Sequence, residues 1–327
     1  MSLFPLQLIP SNTNFNFMRV RWVSIAIAVA LTLAAIGAIA VKKFNFALDF
    51  TGGTVVELRF ETPPDVDGVR ERLQAAGYGS AQVQTFGTGS DLLVRLQPRE
   101  DAGTAVGAAG AEASNRTAED VVRLASTEGN KAKVMRSEFV GPQVGKELAL
   151  NGLYTLLFVV VGFLIYIGFR FEWKFAISAI VTTLADVLIV AGFFAFSGIE
   201  FDLTILAGLL SVMGFSINDK IVVFDRVREN FRNLRAEPME ILNRSINQTL
   251  SRTIITSFVA FLTVLALYLY GGGSLEGMAL SQMIGIVLGT ISSIFVACPL
   301  LTIGFLAVSK QDLMPKAKDE AALARRP

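Results

Sequence analysis

The sequence predicts a polytopic α-helical membrane protein with six transmembrane helices and one α+β ferredoxin-like extracytoplasmic domain between helices 1 and 2. Three observations carry this reading. Of 327 residues, 52% are hydrophobic and 17% charged, which is apolar for a soluble domain. Six stretches each hold about 20 mostly apolar residues, the length a helix needs to cross a core about 30 Å thick. The one long polar interval, residues 42–147, alternates strand and helix patterns instead.

The apolar stretches are Trp22–Val41, Leu148–Phe169, Phe175–Phe196, Leu203–Phe224, Thr253–Tyr270 and Met278–Val308. The first lies late for a signal peptide and lacks a clear cleavage site, so it reads as a retained helix. Lys/Arg asymmetry orients the set. Arg19 and Arg21 precede the first span, and Arg170 and Lys174 join the second to the third. Arg226, Arg228, Arg232, Arg235, Arg244 and Arg252 join the fourth to the fifth, and Lys310, Lys316, Lys318, Arg325 and Arg326 mark the tail. The turns "SGIEFD" (197–202) and "GGGSLEG" (271–277) hold no Lys or Arg. Both termini are therefore expected in the cytoplasm. Glu200, Asp202 and Glu276 make the outer turns acidic and read as solvated residues.

This divides the chain into a cytoplasmic N-terminus with the first helix (1–41), a periplasmic ferredoxin-like domain (42–147), a five-helix bundle (148–308) and a cytoplasmic tail (309–327). Within the second part, "GGTVVELRFE" alternates as a strand. "DVDGVRERLQAAG" is an amphipathic helix, with Asp65 as N-cap, Val66, Val69 and Leu73 as its apolar stripe, and Gly77 closing it. "SAQVQTF" and "DLLVRLQ" form two strands around the turn "GTGS". "RTAEDVVRLAST" is a second helix and "KAKVMRSEFVG" a last strand. The order β-α-β-β-α-β is the ferredoxin-like one. The Ala/Gly-rich piece "DAGTAVGAAGAEAS" is expected to be a loop. No catalytic constellation falls here, so a binding or mechanical role is expected.

Composition also excludes. The formal net charge is +1, which offers nucleic acid no electrostatic footprint. There is no histidine, and Cys298 is the single cysteine. Ser-His-Asp chemistry, Cys-His chemistry and His-based zinc sites are therefore out of reach, and no cofactor or metal is expected. Any proton carried through the chain must use carboxylates, Lys, Tyr or water.

Ionisable residues inside the spans are functional candidates by default. Asp186 lies about 16 Å from either end of the third span. It reads either as a protonated carboxyl bonded to a neighbouring helix, with Thr182 and Thr183 at hand, or as a functional group. Asp219 lies about 24 Å from Leu203, and Arg252 about 27 Å from Tyr270, which sets both just inside the cytoplasmic edge. An Asp219–Arg252 pair between helices four and five is therefore allowed, and it would offset much of each ion's desolvation. Ser216 lies one turn before Asp219, and Thr256, Ala260 and Thr263 continue the stripe from Arg252. Ala207, Ser211 and Gly214 form a small-residue strip for close packing. Lys220 points about 100° away from Asp219 around the helix and is expected to reach the cytoplasmic headgroups. Asn218 is expected to hydrogen-bond beside Asp219. The competing account is an interfacial cluster without function.

Six motifs in order, "DFTGGT" (49–54), "FVGPQVGKEL" (139–148), "ADVLI" (185–189), "IEFDLTILAGLLSVMGFSINDKIVVFDRVREN" (199–230), "SRTIITS" (251–257) and "GGGSLEG", resemble the SecD/SecF family, SecF branch. This family of the bacterial Sec machinery is related to the resistance-nodulation-division transporters. The resemblance implies a non-enzymatic, proton-coupled component of the bacterial inner membrane that promotes late preprotein translocation. Its implied partners are SecD, the SecYEG translocon, YajC, SecA indirectly, and the unfolded preprotein, with the proton motive force as driver. It also places a proton-coupling carboxylate on Asp219, with the motif's Arg on Arg252 and its Thr on Thr256. Two positions depart from the commonest pattern. Lys220 stands where Ser or Thr is usual, as a competing counter-charge, and Ala185 where His is usual.

Two alternatives stand beside this. One is half of a proton-driven exporter of small molecules or lipids, which would also need a second subunit. The other is an intramembrane aspartyl protease using Asp186 and Asp219. The depth difference, about 16 Å against about 9 Å from the cytoplasmic edge, argues against the shared proton such a dyad needs.

Overall fold

A computed structural model describes residues 13–78, 81–86, 89–96, 108–127 and 129–308. The positive residues of the tail, the first half of the Ala/Gly-rich piece and the start of the turn "GTGS" lie outside the described residues. The chain divides into a helical unit, Met1–Asn45 with Leu156–Pro327, and an α/β unit, Phe46–Thr155.

In the α/β unit, β1 (Asn45–Phe46) and the short α2 (Leu48–Thr51) lead into β2 (Gly53–Arg59). Then follow α3 (Val66–Ala75), β3 (Gln82–Phe86), β4 (Asp91–Leu96), α4 (Ala108–Ala125) and β5 (Lys133–Val140). The four longer strands form one antiparallel sheet in the order β3-β4-β2-β5. Val56 stands opposite Val94 and Leu58 opposite Leu92, so period-2 alternation puts these side chains on one face. They are buried with Val69 and Leu73 of α3 and with Val121 and Ala125 of α4. Asp65 caps α3 by accepting from the Gly68 N–H. The expected loop over 101–114 is corrected in its second half, because α4 already begins at Ala108. Ala and Glu there are strong helix formers, which outweighs Gly110.

The "GG" pair has a geometric reason. Gly52 (φ 68°) and Gly53 (φ 126°) both lie where a Cβ is strained, and a Cβ on Gly53 would overlap the Leu96 carbonyl. A Cβ on Gly145 would stand 2.9 Å from the Gly52 nitrogen, so the start of α5 (Pro142–Arg170) also needs glycine there.

Arg59 donates to Asp91 through Nε (2.7 Å) and Nη2 (3.2 Å). That hydrogen-bonded pairing holds the Asp91 carboxyl below the usual carboxylate range. A lowered folded-state value means the pair stabilises fully above about pH 4 and loses its effect as pH falls through that lowered value. Asp91→Asn is therefore expected to flatten the acid limb of this unit's stability. The check is the urea midpoint of the unit between about pH 5 and about pH 2. An acid limb of wild-type steepness would refute it.

The helical unit contains α1 (Arg21–Lys42), the remainder of α5, α6 (Trp173–Ser197), β6 (Glu200–Phe201), α7 (Leu203–Asn233), α8 (Pro238–Tyr270) and α9 (Gly273–Ser292). A π-helical turn (Ser293–Ala297) and the short α10 (Cys298–Leu300) close the last span. Among the described residues, six helices are long and apolar enough to cross a membrane. Three expected boundaries change. Helix α7 runs to Asn233, and α8 starts at Pro238, where proline's fixed φ suits a first helical turn. All the arginines between spans four and five except Arg235 thus sit on the helices, and Arg228–Glu172 (3.0 Å) and Arg170–Asp225 (2.7 Å) tie this end. The sixth span ends near Leu300 rather than Val308, one residue past Pro299, which has no N–H to bond back along the helix. Asp202 caps α7 by accepting from the Ile205 N–H (2.7 Å), so it is a structural cap rather than a free acid.

Helix α9 packs along α7, α8 and α6, while α1 packs on α6. The close approaches use other glycines than the expected Ala207–Ser211–Gly214 strip. A Cβ on Gly208 would overlap Ser281, one on Gly285 would overlap Val212, and one on Gly192 would overlap Ala35. Ala207 and Ser211 are exposed, and Gly214 has open space around it. The small strip turns outward because Ile205, Leu209, Val212 and Met213 take the inner face.

Candidate functional site

Polar side chains from four helices meet inside this apolar bundle. Helix α6 contributes Thr183 and Asp186, and α7 contributes Ser216, Asp219 and Lys220. Helix α8 brings Ser257, and α9 brings Thr290 and Ser292. Asp186 and Asp219 are each 3% exposed, and Lys220 is 0% exposed.

Asp186 collects three hydrogen bonds on one oxygen. Its Oδ2 accepts from Lys220 Nζ (2.7 Å), Ser216 Oγ (2.6 Å) and Ser292 Oγ (2.8 Å). Lys220 Nζ also donates to Ser216 Oγ (2.5 Å) and Thr183 Oγ1 (3.2 Å). Ser216 and Lys220, one turn apart, therefore present one face of α7 to α6. The π-helical turn begins directly after Ser292, and its Ala297 carbonyl accepts from Ser178 of α6 (2.8 Å).

Asp219 has a different setting. Its Oδ2 accepts from Ser257 Oγ of α8 (3.3 Å), and Ser257 Oγ in turn accepts from Thr290 Oγ1 of α9 (2.7 Å). Among the described residues no Lys or Arg nitrogen lies within 4.0 Å of its carboxylate. An ionised carboxylate in a low-dielectric bundle without a cation is expensive, whereas a protonated one with a hydroxyl partner is not.

The comparisons with known proteins agree with the motifs. The family described as protein export membrane protein SecD/SecF, C-terminal, matches residues 121–305, and the SecD/SecF GG motif matches residues 37–64. The chain belongs to the SecD/SecF family. The protein translocase subunit SecF of Pseudomonas aeruginosa is 46% identical over 93% of this chain and 95% of that protein. The SecF of Vibrio alginolyticus is 41% identical over 94% of this chain and 95% of that protein. Among solved structures, SecDF from Thermus thermophilus, a translocon-associated membrane protein, superposes with a TM-score of 0.77 at 38% identity. The match covers 91% of this chain and 39% of the SecDF chain, so this chain spans well under half of that length. This SecD/SecF chain is thus a multi-pass membrane protein of an export family.

Not all the residues expected at a SecD/SecF proton site come together. Asp219 is buried, but the expected Asp219–Arg252 pair is absent. Arg252 and Thr256 lie on the exposed face of α8, while Thr253 and Ser257 face inward. Thr256 Oγ1 donates to the Arg252 carbonyl (3.0 Å). Asn218 is also exposed. Ser216 bonds Asp186 rather than serving Asp219, and Thr182 Oγ1 donates back to the Ser178 carbonyl (2.7 Å) instead of reaching Asp186. Asp186 and Asp219 share no hydrogen bond, as a protease dyad would require.

Lys220 overturns its expectation most clearly. It does not reach the headgroups. Helical side chains lean toward their own N-terminus, so its stem runs back into the bundle, away from the arginine-rich end. That lean brings its ammonium to Asp186. Sequence spacing missed Ser257, Thr290 and Ser292 as well. The Ser216–Lys220 interval of one turn was the available signal.

Proposed function

We propose that this chain is the SecF-type subunit of a protein-export complex, coupling proton entry at Asp219 to late movement of a preprotein. The observation that carries this is the buried Asp219 carboxyl, bonded to Ser257 and without a cation within 4.0 Å among the described residues. In the bound arrangement the protonated carboxyl keeps Ser257 and Thr290 against α7. Loss of the proton creates a charge that Arg252 can compensate while Asp186 holds Lys220, and drawing Arg252 inward turns α8 against α7. The membrane potential biases such a two-state element by about 2.3 kcal/mol per charge per 100 mV. The same reading places both termini in the cytoplasm and the α/β unit in the periplasm. Its strand order supports a ferredoxin-like arrangement.

The partner follows from the outer face of α7 and α8. Arg252, Thr256 and Asn218 are exposed there. A cavity of about 280 Å³ among α7, α8 and α9 is lined by Ser211, Phe215, Ala260, Thr263 and Gln282. Arginine and amide groups facing lipid are costly, so a second membrane protein covers them. We assign this place to SecD, with SecYEG, YajC and SecA further along the same pathway and the unfolded preprotein as cargo. The test is Thr263→Cys in the membrane-embedded complex. Cross-linking to SecD and protection from a lipid-soluble maleimide are expected. A cysteine that stays lipid-accessible and uncross-linked would refute the assignment.

A further inference from the structure

Lys220 and Asp186 form the one ion pair sealed inside the bundle among the described residues, and nothing in the coupling scheme above uses them. Their place suggests a task. The buried layer holds two carboxylates, Asp186 and Asp219, and a single ammonium, Lys220. Fully ionised, it carries one uncompensated negative charge in a low-dielectric site, so it retains one proton. The question is which carboxylate holds it.

The donor inventory answers. Three donors converge on Asp186 Oδ2: the Lys220 ammonium and the Ser216 and Ser292 hydroxyls. A carboxylate that accepts from three donors, one of them charged, is in its ionised form. Asp219 receives one hydroxyl, at 3.3 Å, and no cation. The other groups around Lys220 do not alter the count. Helix α6 offers Asp186, with Lys174 at its distant end, and α8 offers the exposed Arg252. Helix α9 and its closing turns hold no charged side chain after Glu276, only the buried Cys298. Helix α1 has charges only at its ends, Arg21 and Lys42.

We propose that the Lys220–Asp186 pair assigns the layer's exchangeable proton to Asp219, which makes Lys220 a positioning residue for proton coupling. While Asp186 holds Lys220 on the α6 side of α7, Asp219 has no cation within 4.0 Å among the described residues and keeps the proton. If Asp186 is neutral, Lys220 is free to serve as counter-ion to Asp219, and the proton leaves. If Lys220 is removed, both carboxyls are without a buried cation, and a second proton enters at Asp186. The idea rests on the proton-coupling reading, but its readout requires no export and so stands or falls separately.

The test is the infrared carbonyl band of protonated carboxylic acids, recorded on the membrane-embedded complex at neutral pH. Wild type is expected to show a band that Asp219→Asn removes. Asp186→Asn is expected to lose the same band although Asp219 is intact. Lys220→Met is expected to gain a second band of similar strength, which a further Asp186→Asn removes. A purely structural staple would leave the Asp219 band alone in every variant. Should the single variants fail to accumulate, the charge-neutral Asp186→Asn/Lys220→Met double variant carries the test and must show the Asp219 band. An unchanged band in Lys220→Met or Asp186→Asn, or a folded double variant without it, would overturn the proposal.

Discussion

Asp219→Asn is expected to leave the chain assembled while removing the potential-dependent part of preprotein export. Asn keeps the shape and the bond from Ser257, so packing among α7, α8 and α9 survives. What disappears is the change of charge. One charge crossing the full field at about 100 mV is worth about 2.3 kcal/mol, equivalent to ~40-fold in a rate or population. The loss is smaller if the proton crosses only part of the field. Export should fall to the rate seen in wild type without a potential, with no further fall when the potential is collapsed. Arg252→Met is expected to give the same loss for the opposite reason, since the ionised carboxylate then has no cation to draw inward. The measurement is the export rate in membrane vesicles at stepped potentials. A wild-type slope in either variant would contradict the coupling role.

The second large effect concerns stability. Removing one partner of a buried ion pair strands the other, at a cost of about 3–5 kcal/mol. Asp186→Ala is therefore expected to destabilise the helical unit, toward the lower end of that range because the fully buried Lys220 keeps only the Thr183 and Ser216 hydroxyls but can turn to Asp219 as counter-ion. Replacing both members by apolar groups of similar volume, as in Asp186→Leu/Lys220→Met, is expected to recover most of that loss. Denaturant midpoints in detergent for the single and double variants check the pair energy as a double-mutant cycle. A single variant as stable as wild type would show that the pair contributes little.

Much of the architecture was legible because its signals are one-dimensional. Apolar length located six spans, and alternation located the strands β2 to β5. The cap at Asp65 and the stop at Gly77 follow from residue chemistry alone. What was hidden is azimuthal. Depth counting put Asp219 and Arg252 level, yet level residues on adjacent helices need not face each other. Arg252 and Thr256 take one side of α8, and Thr253 and Ser257 the other. The small-residue strip failed for the same reason, since Gly208 and Gly285 hold the close contacts. Lys220 failed through direction rather than position. Its stem leans toward the start of α7 and into the bundle, where simple snorkelling would send it outward. The family motifs pointed to the buried Asp219 but not to the Lys220–Asp186 pair beside it.

Proton flux tests the central claim most directly. The chain and SecD are placed in sealed liposomes with a pH-sensitive dye inside, and an inward proton gradient and potential are imposed. A flux that the wild-type complex sustains and Asp219→Asn abolishes is the predicted result. Equal flux through both, or none through the wild type, would contradict a proton-coupling carboxyl at Asp219.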